Sequence, residues 1–183
     1  MTRRRPRITD AIVAALTLAV GATACFPPAS PSTVATQITS GSAHSCAIVA
    51  AGAVKCWGIN SNGQLGNNTN TDSPVPVDVV GVSGATQITS GTAHSCAIVA
   101  AGAVKCWGWN PWGQLGNNTD TDSLVPVDVV GVSGATQITA GDVHSCAIVA
   151  AGAVKCWGNN SYGQLGNNTN VDGLVPVDVV GIP

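Results

Sequence analysis

Three histidines and six cysteines recur at one spacing: His44, Cys46 and Cys56; His94, Cys96 and Cys106; His144, Cys146 and Cys156. A His-x-Cys followed by a second cysteine has the residue types of a zinc site, and a thiol near an imidazole has those of a nucleophile. Two features weigh against both. The paired cysteines fall opposite each other in a hairpin, where an oxidising compartment joins them as disulfides, and no third group recurs to orient the imidazole. Each histidine is instead expected to close a tight turn by bonding to nearby backbone. No Ser-His-Asp spacing and no Gly-rich phosphate loop appears. The expectation is a non-enzyme with no catalytic residue, no metal site and no cofactor.

A second candidate for metal chemistry is the run Asn118, Thr119, Asp120, Thr121 and Asp122, with oxygen-bearing side chains at alternate residues, as at the start of a calcium loop. The chain has no glutamate to close such a site with a bidentate carboxylate, so a solvated loop is expected.

These residues sit in a repeat of about 50 residues, seen from Ala35, again from Ala85 and again from Ala135. So short a unit cannot bury a hydrophobic face alone and must lean on its neighbour. Within it, runs of β-branched and apolar residues alternate with Gly, Asn, Asp, Ser and Pro clusters, the pattern of short strands and turns. Strands are expected over Thr36 to Ser40, His44 to Val49, Val54 to Trp57 and Val75 to Val80, with a loop from Asn60 to Ser73. Pro74 and Pro76, lacking ladder donors, restrict the last strand to an edge.

Ala50-Ala51-Gly52 suits a three-residue hairpin loop with Gly52 in the left-handed position. Counting outward, Val49 faces Ala53, Ile48 faces Val54, Ala47 faces Lys55 and Cys46 faces Cys56. The same count pairs Cys96 with Cys106 and Cys146 with Cys156. Each bridge closes a short loop and contributes about 2–3 kcal/mol in the chain-entropy model. Such bracing matters where only 4% of residues are aromatic.

Trp57, Trp107 and Trp157 hold one position in every copy and are expected in the core. Positions that differ between copies fall mostly in loops, where binding surfaces are commonly built. Among them Ile59, Trp109, Trp112 and Tyr162 are the candidate partner-binding residues, because aromatic and large apolar side chains anchor interfaces.

Ahead of the repeats, Arg3, Arg4, Arg5 and Arg7 precede an apolar stretch from Ala11 to Ala24. That order is the order of an export signal, and roughly 14 apolar residues fall short of the roughly 20 that span a bilayer. Residues 1–24 are therefore expected to be a signal peptide and 25–34 a Pro/Ser-rich tether, followed by repeats at 35–84, 85–134 and 135–183. Ala22-Thr23-Ala24 fits a secretory cleavage site, while the same residues with Cys25 resemble a permissive lipobox. Cys25 is the odd thiol among seven cysteines and the candidate lipid-attachment residue. Free secretion and lipid anchoring to a membrane both stay open.

All four arginines lie in that leader, leaving three lysines against eight aspartates, a net of minus five. Phosphate neutralisation by Lys and Arg supplies most nucleic-acid affinity, so no nucleic-acid partner is expected.

The string Gly-x-x-His-Ser-Cys-Ala, then Gly-x-Val-Lys-Cys-Trp-Gly-x-Asn, then Gly-Gln-Leu-Gly and Pro-Val-x-Val resembles the regulator of chromosome condensation repeat, from about Ala35 to Val180. The His-Ser-Cys and Lys-Cys-Trp-Gly version is similar to the family's exported bacterial branch. The resemblance implies an all-β fold of β-propeller blades, about one four-stranded blade per repeat. Family propellers usually close with seven blades. Three repeats imply a partial propeller or one completed by oligomerisation. The expected function is an exported, non-enzymatic module binding a protein or glycan at the cell surface. The alternative the resemblance brings is guanine-nucleotide exchange on a small GTPase, against which the leader and the cysteine pairs both count.

Overall fold

A computed structural model describes residues 34–182; the leader, Cys25 and most of the tether lie outside the described residues. Each repeat forms one four-stranded antiparallel sheet, a propeller blade. The first is β1 (Gln37–Ser40), β2 (His44–Ile48), β3 (Val54–Gly58) and β4 (Ser73–Asp78). The second is β5 (Gln87–Ser90), β6 (His94–Ile98), β7 (Val104–Gly108) and β8 (Ser123–Asp128), and the third β9 (Gln137–Ala140), β10 (His144–Ile148), β11 (Val154–Gly158) and β12 (Gly173–Asp178). Strands in each sheet lie in sequence order, so β1, β5 and β9 form one edge and the proline-bearing β4, β8 and β12 the other.

The central hairpin has the register that counting from its turn predicts: Cys46 opposes Cys56, Ala47 opposes Lys55 and Ile48 opposes Val54. The sulfurs are bonded in all three copies, across Cα separations of 4.0–4.1 Å. Such short separations are those of a non-hydrogen-bonded antiparallel pair.

Two local details differ from the sequence reading. The turn holds Ala51 as well as Gly52 in the left-handed region, at φ 57° and 70°. Its geometry is fixed by the linker to the next blade: Gly84 N–H donates to Ala51 O at 3.1 Å and Ala85 N–H to Gly52 O at 2.9 Å. A Cβ on Gly52 would stand 2.5 Å from Ala85 N, so glycine is needed there for space as well as for φ. The outer strand also starts earlier than expected, at Ser73, and carries a bulge. Cys56 pairs with Val77 and Gly58 with Ser73, so Pro74, Val75 and Pro76 occupy the irregular stretch where the ladder asks for no donors.

The core lies between blades. One cluster joins Cys46, Ile48, Val54 and Leu65 of the first blade to Ile88, Ala97, Val99 and Trp107 of the second. A second repeats it between the second and third blades, from Cys96, Ile98, Val104 and Leu115 to Ile138, Ala147, Val149 and Trp157. Each blade thus has a tail face, carrying its disulfide, and a head face, carrying its tryptophan.

Candidate functional site

The histidine of each repeat is explained by this packing. His44 Nε2 lies 2.9 Å from Ser95 Oγ on the next blade, and Ser95 Oγ donates to Gln64 O at 3.3 Å. Since the hydroxyl proton goes to the carbonyl, the ring nitrogen is the donor in the first bond. Trp107 Nε1 donates to the same carbonyl at 3.0 Å. His94, Ser145, Gln114 and Trp157 repeat the arrangement at the second joint, with His94 Nε2 3.0 Å from Ser145 Oγ. The expected bond to nearby backbone is therefore replaced by a latch between blades. The reason is room: a Cβ on Gly41 would fall 2.4 Å from His44 Cε1, so the glycine three residues earlier lets the ring pass beneath the turn toward the neighbouring sheet.

This Ser–His pair has the elements of a hydrolytic dyad and the wrong surroundings for one. Ser95 and His94 are fully buried and His44 nearly so. The serine hydroxyl is committed to a carbonyl, and Nδ1 of His44 and of His94 has no hydrogen-bond partner to orient it. Burial lowers the His44 pKa to about 4. Burial, with further lowering from His44 and His144 and opposition from Asp142, takes His94 to about 3. Both rings are neutral at physiological pH, which is the state the latch uses.

The long loop between β3 and β4 is also organised. Asn60 is fully buried, and its Nδ2 lies within 2.9–3.2 Å of Asn67 Oδ1, Thr69 O, Thr69 Oγ1 and Thr71 O, while its Oδ1 accepts from Leu65 N. Asp72 Oδ1 accepts from Asn60 N at 2.7 Å. Asn110 with Asp122, and Asn160 with Asp172, do the same. The carboxylate that the calcium-loop pattern would spend on a metal is thus engaged in holding its own loop. By composition the stretch is a solvated loop, and the one sign of its internal order in the sequence is the recurrence of Asn60, Asn67, Thr69 and Asp72 in all copies.

The buried asparagine leaves its neighbours to project outward. Trp109 and Trp112 come together with ring centroids 4.7 Å apart, edge to face, and both are half-buried rather than free. Tyr162, in the third blade's loop, is 93% exposed, and Ile59, in the first blade's, is 43% exposed. The structure therefore pairs two of the four candidate partner-binding residues and sets the others on the equivalent loops of the flanking blades. The three lysines bond the aspartates opposite them, Lys55 to Asp78, Lys105 to Asp128 and Lys155 to Asp178, each at 2.6 Å. Asp120 and Asp142 add to an acidic remainder, so phosphate recognition has no free lysine among the described residues.

Several known structures share this arrangement. Human WBSCR16 is 26% identical over 79% of this chain and 39% of its own, with a TM-score of 0.71. Prp20p from Saccharomyces cerevisiae is 21% identical over 79% of this chain and 38% of its own, with a TM-score of 0.70, and its binding properties to Gsp1p and histones have been described. Yeast RCC1 (Prp20) bound to Kap60 superposes with a TM-score of 0.71 at 20% identity. The chain spans under two fifths of the length of each of these two yeast structures. No curated protein matches significantly. The regulator of chromosome condensation (RCC1) repeat matches residues 51–98, 101–148 and 151–183, and a second description of it matches 35–64, 85–114 and 135–164. With its signature covering most of the sequence and its blades superposing on those propellers, the chain belongs to the regulator of chromosome condensation repeat family.

Proposed function

We propose that the protein is an exported, non-enzymatic binding module that presents the loops between the third and fourth strands of its blades to a protein partner at the cell surface. The observation that carries this reading is the division of labour among residues. The latch residues, the cysteine pairs and the asparagine core recur unchanged in every copy, while Ile59, Trp109, Trp112 and Tyr162 break the repeat on loops whose backbone is already fixed. Rigid loops bearing aromatic side chains lose little entropy on binding. A protein partner also suits the family, since Prp20p binds Gsp1p and histones. A glycan would stack on the same aromatic residues.

Export rests on the leader over residues 1–24 and on three disulfides, which persist in oxidising compartments. In this reading Cys25 carries lipid, and the tether holds the repeats at 35–84, 85–134 and 135–183 clear of the membrane. Fractionation with intact-mass measurement tests it: an envelope-bound species carrying a lipid-sized mass increment at Cys25 is expected, and an unprocessed cytosolic chain overturns it. For the loops, labelled protein is applied to an array of cell-surface proteins and glycans. Trp109→Ser with Trp112→Ser, and separately Tyr162→Ser, should lower retention at least tenfold with unchanged Tm; retention equal to that of the parent protein overturns the assignment.

A further inference from the structure

The three copies differ at one end only. Over residues 35–81 and their counterparts, every position that changes between copies lies in the first turn of a blade, in its long loop, or at the strand residues beside them. Successive antiparallel strands place that turn and that loop at the same end of the sheet, and Ile59 N, Trp109 N and Asn159 N donate to Ala43 O, Ala93 O and Val143 O to tie the two together. The hairpin turn at the other end, Ala50-Ala51-Gly52, is identical in all copies. Charge follows the same division. Asp78, Asp128 and Asp178 are held by the lysines near the invariant end. The other five aspartates of the repeats, Asp72, Asp120, Asp122, Asp142 and Asp172, lie at the variable end, where no lysine stands among the described residues. A face of one sign selects the opposite sign in its partner.

Within that face the first turns of all three blades enclose a cavity of about 310 Å³. Ser42, Thr92 and Asp142 occupy equivalent positions around it, and Ser90 stands in its wall. Thr92 Oγ1 donates to Asp142 Oδ1, and Thr92 N to Asp142 O at 3.2 Å, so bonds across the joint hold the carboxylate in place. Among the described residues no cation balances it. The nearby rings of His94 and His144 are uncharged at neutral pH, because burial lowers both pKa values against the opposing pull of Asp142. Ser90 is 8% exposed, and its hydroxyl has no hydrogen-bond partner. A buried hydroxyl left so is costly, and Ala140 at the matching position of the third blade shows that packing there accepts a methyl group.

We infer that this cavity receives an arginine side chain of the protein partner, whose guanidinium donates to the Asp142 carboxylate and the Ser90 hydroxyl while the aromatic loops hold the surface around it. A guanidinium carries five N–H donors and no acceptor, which suits a wall that offers carboxylate and hydroxyl oxygens. Its bond to a carboxylate already fixed by Thr92 is charge-assisted and needs no rearrangement of the site. The assignment rests on the binding-face reading above and adds the chemistry of the partner. Both joints that frame the cavity lie within the three blades, so neither outer face takes part.

Titration of the isotope-labelled full chain with Nα-acetyl-arginine amide, followed through backbone amide shifts, reads the first turns without Trp109, Trp112 or Tyr162, so it can fail while binding by the loops stands. Saturable shifts are expected at residues 90–92 and 140–142, and the neutral citrulline analogue should produce none there. Asp142→Asn keeps an oxygen for Thr92 and removes the charge; it should raise the dissociation constant at least tenfold. Ser90→Ala should raise it about threefold. The proposal is overturned by the absence of saturable shifts up to about 100 mM of the arginine analogue, by an equal response to the citrulline analogue, or by either variant binding as tightly as the parent chain.

Discussion

His44 and His94 show how a residue type associated with catalysis serves as a sealed connector. Buried neutral imidazoles take up protons readily once the chain unfolds, and stability must follow that difference. Their folded pKa values, about 4 and about 3, lie below the unfolded value of 6.5. Between those limits the unfolded chain binds more protons, so stability is full above pH 6.5 and falls as pH drops toward 4. Urea titrations at pH 7 and pH 4.5 should differ by about 2–3 kcal/mol per buried histidine, and His44→Gln with His94→Gln should flatten the dependence. A parent protein equally stable at both pH values would show that the rings are not buried as described. The sequence made each histidine visible and hid its partner. Ser95 lies 51 positions away in another copy, where no local spacing rule reaches. Asn60 was hidden differently: polar, loop-bound and flanked by turn residues, it reads as solvent-facing until the chain closes around it.

At the level of the strand and the hairpin, local spacing says much more. Gly52 sets the turn, the turn sets the register, and the register brings Cys46 to Cys56, so the cysteine pairing and the edge position of β4 could both be read in advance. What could not be read was Ala51 in the left-handed region, because the linker from the blade's end imposes it from outside the hairpin. The three bridges span ten-residue separations. Reduction should therefore cost about 2–3 kcal/mol per bridge, read as a lower urea midpoint with a nearly unchanged m-value. A midpoint unmoved by reduction would mean that the latch and the joint hold the hairpins without them. The surface pairs between Lys55, Lys105, Lys155 and their aspartates contribute little beside this, being partly solvated.

For the molecule as a whole, stability resides in joints between blades, so a residue's value depends on which blade carries it. Ile88→Ala should cost about 2–5 kcal/mol, whereas Ile38→Ala should cost under about 0.5 kcal/mol. Equal losses would place the core inside blades rather than between them. The repeat period made the architecture legible, and the need of each short unit for a neighbour was evident from its size. The identity of the contacting faces was not, because strand alternation gives two faces without saying which turns toward the next copy. That joint has a consequence for inheritance. Every seam is cut from the same template, so excising or duplicating a stretch of about 50 residues at any phase brings together surfaces that already fit. Unequal crossing-over between such copies would lengthen or shorten the protein by whole blades and leave no scar in its packing, making blade number a trait that can drift or be selected without new mutations in the core.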